Sequence, residues 1–185
     1  MELNNLFPNL YNIHNFAFTG QFDKHNYYKD IDLFKNLNIN NIKSNTKWNC
    51  KLQTNFPGDN IGLLNSNIVN ELYKDILSYL NRELVKYEIK DLFYRTGPWY
   101  NIYKKGFSQE KHNHLSDKSL LSGCYYYSSP STIEFSILDK KSKFEPEEGN
   151  ILLFSCEMSH EVPIYNGDDI RISFAFNLNV KEVLR

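Results

Sequence analysis

Cysteine is scarce in this chain and follows no pattern. Three thiols, Cys50, Cys124 and Cys156, are spread over 185 residues without a Cys-x-x-Cys pair. That excludes a disulfide framework and a zinc ribbon, and free thiols in a reducing compartment are expected. An excess of either charge is missing too. The 21 Lys and Arg against 22 Asp and Glu give a net charge of −1 at pH 7, which excludes nucleic-acid binding driven by bulk charge. No apolar run approaches the length that crosses a bilayer, and the opening Met1-Glu2-Leu3-Asn4-Asn5 lacks the basic-then-apolar order of a signal peptide. A cytoplasmic protein with no membrane partner is expected. Histidine is also sparse, limited to His14, His25, His112, His114 and His160. Aromatics are not: Tyr and Phe, at 13 each, chiefly enlarge the core. The length supports one good core, so 1–185 is read as a single domain.

Periodicity divides the chain. Residues 1–64 are polar and Asn-rich, with short apolar pieces such as Leu6-Phe7-Pro8 and Phe16-Ala17-Phe18 and a helical stretch near 28–37. They read as an N-terminal wrapping segment. Across 65–88, Ile68, Leu72, Ile76, Leu80 and Leu84 recur every four residues beside Val69 and Leu77, the spacing of a helix with one apolar face. Asn65 or Ser66 is placed to cap it. Across 89–182 the period shortens to 2 and predicts strands over 91–103, 120–128, 132–138, 150–156 and 169–179. Gly106, Pro130, Pro146, Gly149 and Gly167 mark turns. One long helix followed by short strands predicts a mainly β (α+β) fold, a small sandwich or barrel on a supporting helix.

Alternation along a strand sorts side chains by face. Arg171, Ser173, Ala175 and Asn177 form a polar stripe opposite Ile170, Ile172, Phe174, Phe176 and Leu178, which predicts a cavity on the polar side. Ser122, Cys124 and Tyr126 share a face, as do Trp99, Asn101 and Tyr103. An extended His112-Asn113-His114 directs both imidazoles to one side, the geometry a metal needs. His160 follows the apolar run 151–154, where a strand end can bring it to the same point. Imidazole is the commonest protein metal ligand. Taken singly, these residues have plainer roles: His160 as a surface histidine, Arg171 as a cross-strand partner of Asp168 or Asp169, and Cys124 and Cys156 as small buried hydrophobes. His14 and His25 are read as structural, and Lys140, Lys141 and Lys143 as a solvated turn.

The ordered set of Trp99-Tyr-Asn-Ile-Tyr-Lys-Lys-Gly106, His112-Asn-His114, Ser122-Gly-Cys-Tyr-Tyr-Tyr127, Pro146-Glu-Glu-Gly-Asn-Ile-Leu-Leu-Phe154, His160-Glu-Val-Pro163 and Arg171-Ile-Ser-Phe-Ala-Phe-Asn177 resembles the 2-oxoglutarate/Fe(II)-dependent oxygenases of bacteria and phages, relatives of the prolyl 4-hydroxylases. Weaker similarity reaches Leu6-Phe-Pro-Asn-Leu-Tyr11 and the Trp48 region. The resemblance implies a double-stranded β-helix, or jelly roll, that holds Fe(II) in a facial triad and leaves positions open for 2-oxoglutarate and O2. His112 and His160 would be ligands, and Arg171 would pair with the distal carboxylate of 2-oxoglutarate, helped by Ser173 and by the hydroxyls of Tyr126 or Tyr103. The implied reaction is hydroxylation of an unidentified substrate, a small molecule or a peptide side chain, with decarboxylation of 2-oxoglutarate to succinate. Loops 104–111 and 116–119 are candidate lids.

The chain departs from the wider superfamily where a carboxylate usually follows the first histidine by two residues, because here that residue is His114. His114 is read as the third ligand. Two other arrangements stay open: Asp117 or Glu110 supplies an oxygen, or His114 stands outside the ligand set. Two other functions also stay open, a cupin-like dioxygenase with three histidines and no cosubstrate, and a non-catalytic jelly-roll binding module.

Overall fold

The computed structural model describes residues 4–5, 16–30, 53–54, 67–87, 89–95, 98–137 and 140–183. In chain order they form β1 (Asn4–Asn5), β2 (Ala17–Gln21), α1 (His25–Asp30), β3 (Gln53–Thr54), α2 (Asn67–Leu84), β4 (Ile89–Tyr94), β5 (Trp99–Tyr103), β6 (Gln109–His112), β7 (Leu121–Ser128), β8 (Ile133–Ile137), β9 (Lys140–Phe144), β10 (Asn150–Ser155), β11 (Ser159–Val162) and β12 (Arg171–Val183). The expected caps Asn65 and Ser66, together with His14, Trp48, Cys50 and the part of the 28–37 stretch beyond Asp30, lie outside the described residues.

From β5 onward the strands are shared between two antiparallel sheets. β10, β7, β12 and β5 lie side by side in the larger sheet, which β2, β1 and β3 extend at its edges and β4 joins along β12; β6, β11, β8 and β9 make the smaller sheet. The chain therefore crosses from sheet to sheet: β5 large, β6 small, β7 large, β8 and β9 small, β10 large, β11 small, β12 large. That winding is a double-stranded β-helix on a supporting helix, as expected from the sequence.

The four-residue apolar spacing gives α2 its packing face. Val69, Leu72, Tyr73, Ile76, Tyr79, Leu80 and Leu84 are buried, in one cluster with Ile102, Tyr125, Ile172, Phe174, Phe176 and Leu178 of the larger sheet. Each such buried side chain contributes about 1.5–3 kcal/mol, so packing rather than intrinsic propensity holds the helix. Two side chains fix it to the strands: Tyr73 Oη donates to the Trp99 carbonyl at 2.9 Å, and Asn81 Oδ1 accepts from the Leu92 N–H at 2.8 Å. No described helix is long and apolar enough to cross a membrane. With the helix on one face of the larger sheet, the polar stripe of β12 is left for the space between the sheets.

Some boundaries differ from expectation. The strand predicted over 91–103 is two strands, β4 and β5, which lie end to end along β12: β5 faces 171–175 and β4 faces 178–183. Pro98, just before β5, has no amide hydrogen to give a ladder. Pairing with β4 also carries β12 four residues past the predicted end at 179, to Val183. The 140–143 run is no solvated turn but the edge strand β9, where Lys143 Nζ lies 3.1 Å from Glu134 Oε1 and Lys141 Nζ 3.6 Å from Glu161 Oε1. Charged side chains are a common device for blunting a sheet edge.

Candidate metal centre

β6 and β11 are neighbours in the smaller sheet, and His112 lies directly opposite His160. The register slips between them, because Val162 faces Gln109 while His160 faces His112, so two residues of β6, Glu110 and Lys111, stand opposite the single Glu161 of β11. This β-bulge lets Gln109 and His112, three residues apart, line the same cavity, which strict alternation forbids. His114 is not on an extended strand. It precedes a short 3₁₀ turn, Leu115–Asp117, and its N–H donates to the Cys156 carbonyl at 2.9 Å while the Cys156 N–H donates to the Leu120 carbonyl at 3.1 Å. These bonds hold the 113–120 loop against the turn leading into β11. Ring centroids are then 4.2 Å apart for His112 and His160, 5.1 Å for His112 and His114, and 5.3 Å for His114 and His160. Each imidazole offers one nitrogen to a group spanning no more than 4.8 Å.

Backbone carbonyls set the tautomers. His112 Nδ1–H donates to the Glu110 carbonyl at 2.8 Å, and His160 Nδ1–H donates to the Met158 carbonyl at 3.1 Å. In the neutral ring each bond leaves the lone pair on Nε2, the second-partner arrangement usual for metal-binding histidines. Burial, and then the proximity of His112 and His114, hold the His160 pKa well below its ordinary 6.5. A ring kept neutral is ready to ligate without first losing a proton. Glu110 turns its side chain to solvent, the side chain of Asp117 lies outside the described ones, and among the described residues no carboxylate joins the three histidines.

Across the cavity Arg171 pairs in register with Tyr103 of β5 and is only 2% exposed. Its Nη1 donates to Ser131 Oγ at 2.7 Å, while its Nε is buried without a partner. The guanidinium carbon lies 4.4 Å from the centre of the Tyr103 ring and 5.9 Å from that of Tyr126. No salt bridge ties Arg171 to its acidic neighbours: Asp168 pairs with Lys105 at 2.7 Å, and Asp169 is exposed. The Tyr126 hydroxyl is also buried without a partner. Burial first, and then the Cys124 thiol beside it, raise its pKa well above 10, so it stays a donor. Ser173 faces Tyr126 across the β7–β12 ladder. Tyr103 differs from Tyr126, because its hydroxyl donates to Gln109 Oε1 at 3.0 Å while its ring meets Arg171. Burial pushes the Cys124 thiol up to about 11, which keeps it protonated and unreactive. Elsewhere in the cavity Ser122 Oγ donates to Asn177 Oδ1 at 2.7 Å, and the Trp99 ring centroid is 6.2 Å from that of His114.

Two features test whether a metal and an acid fit. Three imidazoles converge, two of them with Nδ1 tied to backbone carbonyls so that Nε2 faces the group, which is a donor set suited to a divalent transition metal with open positions. The unpartnered Arg171 Nε and Tyr126 hydroxyl are donors buried in want of an acceptor, a costly state that an anionic ligand relieves. Sequence reasoning missed two site residues: Ser131, the hydroxyl that braces Arg171, and Gln109, since alternation from His112 turns it outward and only the bulge brings it in. The signal that could have found it is a polar, uncharged residue in the otherwise charged run Glu110-Lys111.

The fold and the site thus define a jelly roll in which three clustered histidines and a buried guanidinium line one cavity. A family model described as "Putative 2OG-Fe(II) oxygenase" matches residues 138–177, the stretch that contains His160 and Arg171. A prolyl-4-hydroxylase from Pseudomonas putida is similar in structure, with a TM-score of 0.62 at 14% identity, covering 90% of this chain and 93% of that one. A prolyl hydroxylase from Trichoplax adhaerens, solved with a hypoxia inducible factor oxygen degradation domain peptide fragment, gives 0.60 at 17%, covering 88% and 83%. The α-ketoglutarate-dependent non-heme epimerase SnoN from nogalamycin biosynthesis gives 0.67 at 8%, covering 88% and 76%; another SnoN structure contains Fe3+ and α-ketoglutarate. At such identities the likeness is one of fold. No curated protein matches the sequence. The matched stretch and the shared fold make the chain similar to the 2-oxoglutarate/Fe(II) oxygenases, with an architecture like that of the prolyl hydroxylases.

Proposed function

We propose that this protein binds Fe(II) through His112, His114 and His160, binds 2-oxoglutarate through Arg171, and hydroxylates a small molecule or peptide side chain while 2-oxoglutarate is decarboxylated to succinate. One observation supports this above the rest: the three imidazoles and the buried guanidinium with its unpartnered Nε line a single cavity. Bound iron supplies the activation of O2. The chain supplies placement. The Glu110 and Met158 carbonyls hold two of the ligand rings in orientation. Three neutral ligands leave the full charge of a divalent metal in place, which favours a dianionic cosubstrate. Arg171, braced on one side by Ser131, presents Nε and its remaining N–H groups to the distal carboxylate as a planar fork. Tyr126 donates to the same carboxylate, and Ser173 lies beside it. Phe154, Ile133 and Val162 line the cavity near the histidines and limit water there.

Succinate formation from 2-oxoglutarate tests the assignment. Arg171→Ala is expected to reduce it about 100-fold, the loss of a bidentate charge-assisted pair, whereas unchanged turnover would remove the role given to Arg171. Oxygen uptake that needs iron but is indifferent to 2-oxoglutarate would instead select a three-histidine dioxygenase without cosubstrate. Failure to bind Fe(II), Mn(II) or Co(II) in calorimetry would select a non-catalytic binding module.

A further inference from the structure

Gln109 touches both halves of the centre. Its carbonyl oxygen accepts the Tyr103 hydroxyl hydrogen at 3.0 Å, and the Tyr103 ring lies against the Arg171 guanidinium at 4.4 Å. Its amide nitrogen lies 3.4 Å from His112 Nε2. Because His112 Nδ1 already donates its hydrogen to the Glu110 carbonyl at 2.8 Å, Nε2 carries a lone pair and the Gln109 amide is its donor. A lone pair serves one partner at a time. When a metal takes His112 Nε2, the amide hydrogen loses its acceptor, yet the carboxamide stays anchored by Tyr103 with its NH2 directed at the place the metal occupies. A buried donor left without an acceptor is costly. An anionic oxygen held at the metal beside His112 would supply that acceptor.

We infer that Gln109 is a further binding residue for the cosubstrate: its amide donates to an oxygen of the 2-oxo acid head group chelated at the metal, while Arg171 holds the opposite end of the same molecule. The inference rests on the three-histidine reading above. It assigns the two ends of 2-oxoglutarate to two different side chains joined through Tyr103, and it gives the bulge in β6 a purpose, since without that extra residue Gln109 would face away. It also gives the Tyr103 hydroxyl a role that does not involve touching the acid.

Oxalate separates the two ends, because it has a chelating head group and no distal arm. Anaerobic calorimetry on the Fe(II)-loaded full chain, with 2-oxoglutarate and with oxalate as titrants, should give a distinct pattern. Gln109→Leu is expected to leave the Fe(II) Kd within about threefold of wild type but to weaken both acids about tenfold or more, the loss of one hydrogen bond to a charged group. Arg171→Ala is expected to weaken 2-oxoglutarate alone. Tyr103→Phe, which keeps the ring under Arg171 and frees the carboxamide, is expected to weaken both acids by about threefold, and it carries the test if Gln109→Leu fails to fold. Wild-type affinity for oxalate in the Gln109 variant would overturn the inference. So would a loss of Fe(II) affinity as large as the loss of the acids, which would make Gln109 a support for His112. If wild-type protein itself binds no Fe(II) or no 2-oxoglutarate, the underlying reading falls and the inference with it, a failure told apart because it appears before any substitution.

Discussion

His25 and His160 are both buried and both held below the ordinary imidazole pKa of 6.5, His160 well below it, but of the two only His160 belongs to the three-histidine cluster. Burial is the main cause for His25, with Lys29 adding and Glu148 opposing. The ring is fixed by the Tyr125 hydroxyl, 2.6 Å from Nδ1, and plays the structural part read for it from the sequence. For both groups the folded-state pKa lies below the unfolded one, so the unfolded chain takes up protons first as the pH falls. Their contribution to stability is then full above about pH 7.5 and is lost progressively below about 6.5. The melting temperature of metal-free protein should therefore fall between about pH 7.5 and 5.5, and a flat or rising profile would contradict the assignment. A second expectation concerns Tyr126, whose hydroxyl is buried without a partner. Tyr126→Phe should weaken 2-oxoglutarate binding about tenfold in anaerobic calorimetry, with Fe(II) binding unchanged. At this scale much was legible. Parity alone puts Arg171, Ser173, Tyr126 and Tyr103 on cavity-facing sides. Gln109 was hidden by the bulge, and the direction of the Tyr103 hydroxyl is set by Gln109, so neither could be read from a regular two-residue period.

Among the elements, α2 and the long strands announced themselves, and the short strands did not. Leucines and isoleucines at four-residue steps have one physical reading on a surface helix, and β7, β10 and β12 are long and apolar enough on one face for alternation to show. β6 and β11 have four residues each, too few for a period to emerge, although they carry His112 and His160. β9 reads as a charged loop because an edge strand is kept soluble by its lysines, and the acidic partners Glu134 and Glu161 come from other strands. Leu80, fully buried in α2, should cost about 2–5 kcal/mol when replaced by alanine, measured by urea denaturation; a cost below about 1 kcal/mol would mean that the helix does not pack as described. Gly149, in the turn between β9 and β10, has φ +85° and room for no side chain, since an added Cβ meets Gln21 Nε2 at 2.3 Å and His25 Cγ at 2.9 Å. Gly149→Ala should destabilise by about 1–3 kcal/mol.

For the whole molecule, the supporting helix lies on one side of the larger sheet and the cavity on the other, so the apolar core and the polar site share strands but lie mostly on opposite faces, with Phe176 reaching both. β12 shows this best. Ile172, Phe174, Phe176 and Leu178 join the helix-facing cluster, while Arg171, Ser173, Ala175 and Asn177 line the cavity. We propose on this basis that the chain folds as one domain of wrap, helix and jelly roll, unfolding in one transition by tryptophan fluorescence and far-UV circular dichroism alike. On the reading proposed above, three imidazoles and one guanidinium hold iron and a 2-oxo acid side by side. Anaerobic addition of 2-oxoglutarate to Fe(II)-loaded protein tests it most directly. A visible metal-to-ligand charge-transfer band should develop in wild type and be absent from His160→Ala and Arg171→Ala at the same concentrations. Iron bound without any band in wild type, or a band that survives both substitutions, would contradict it.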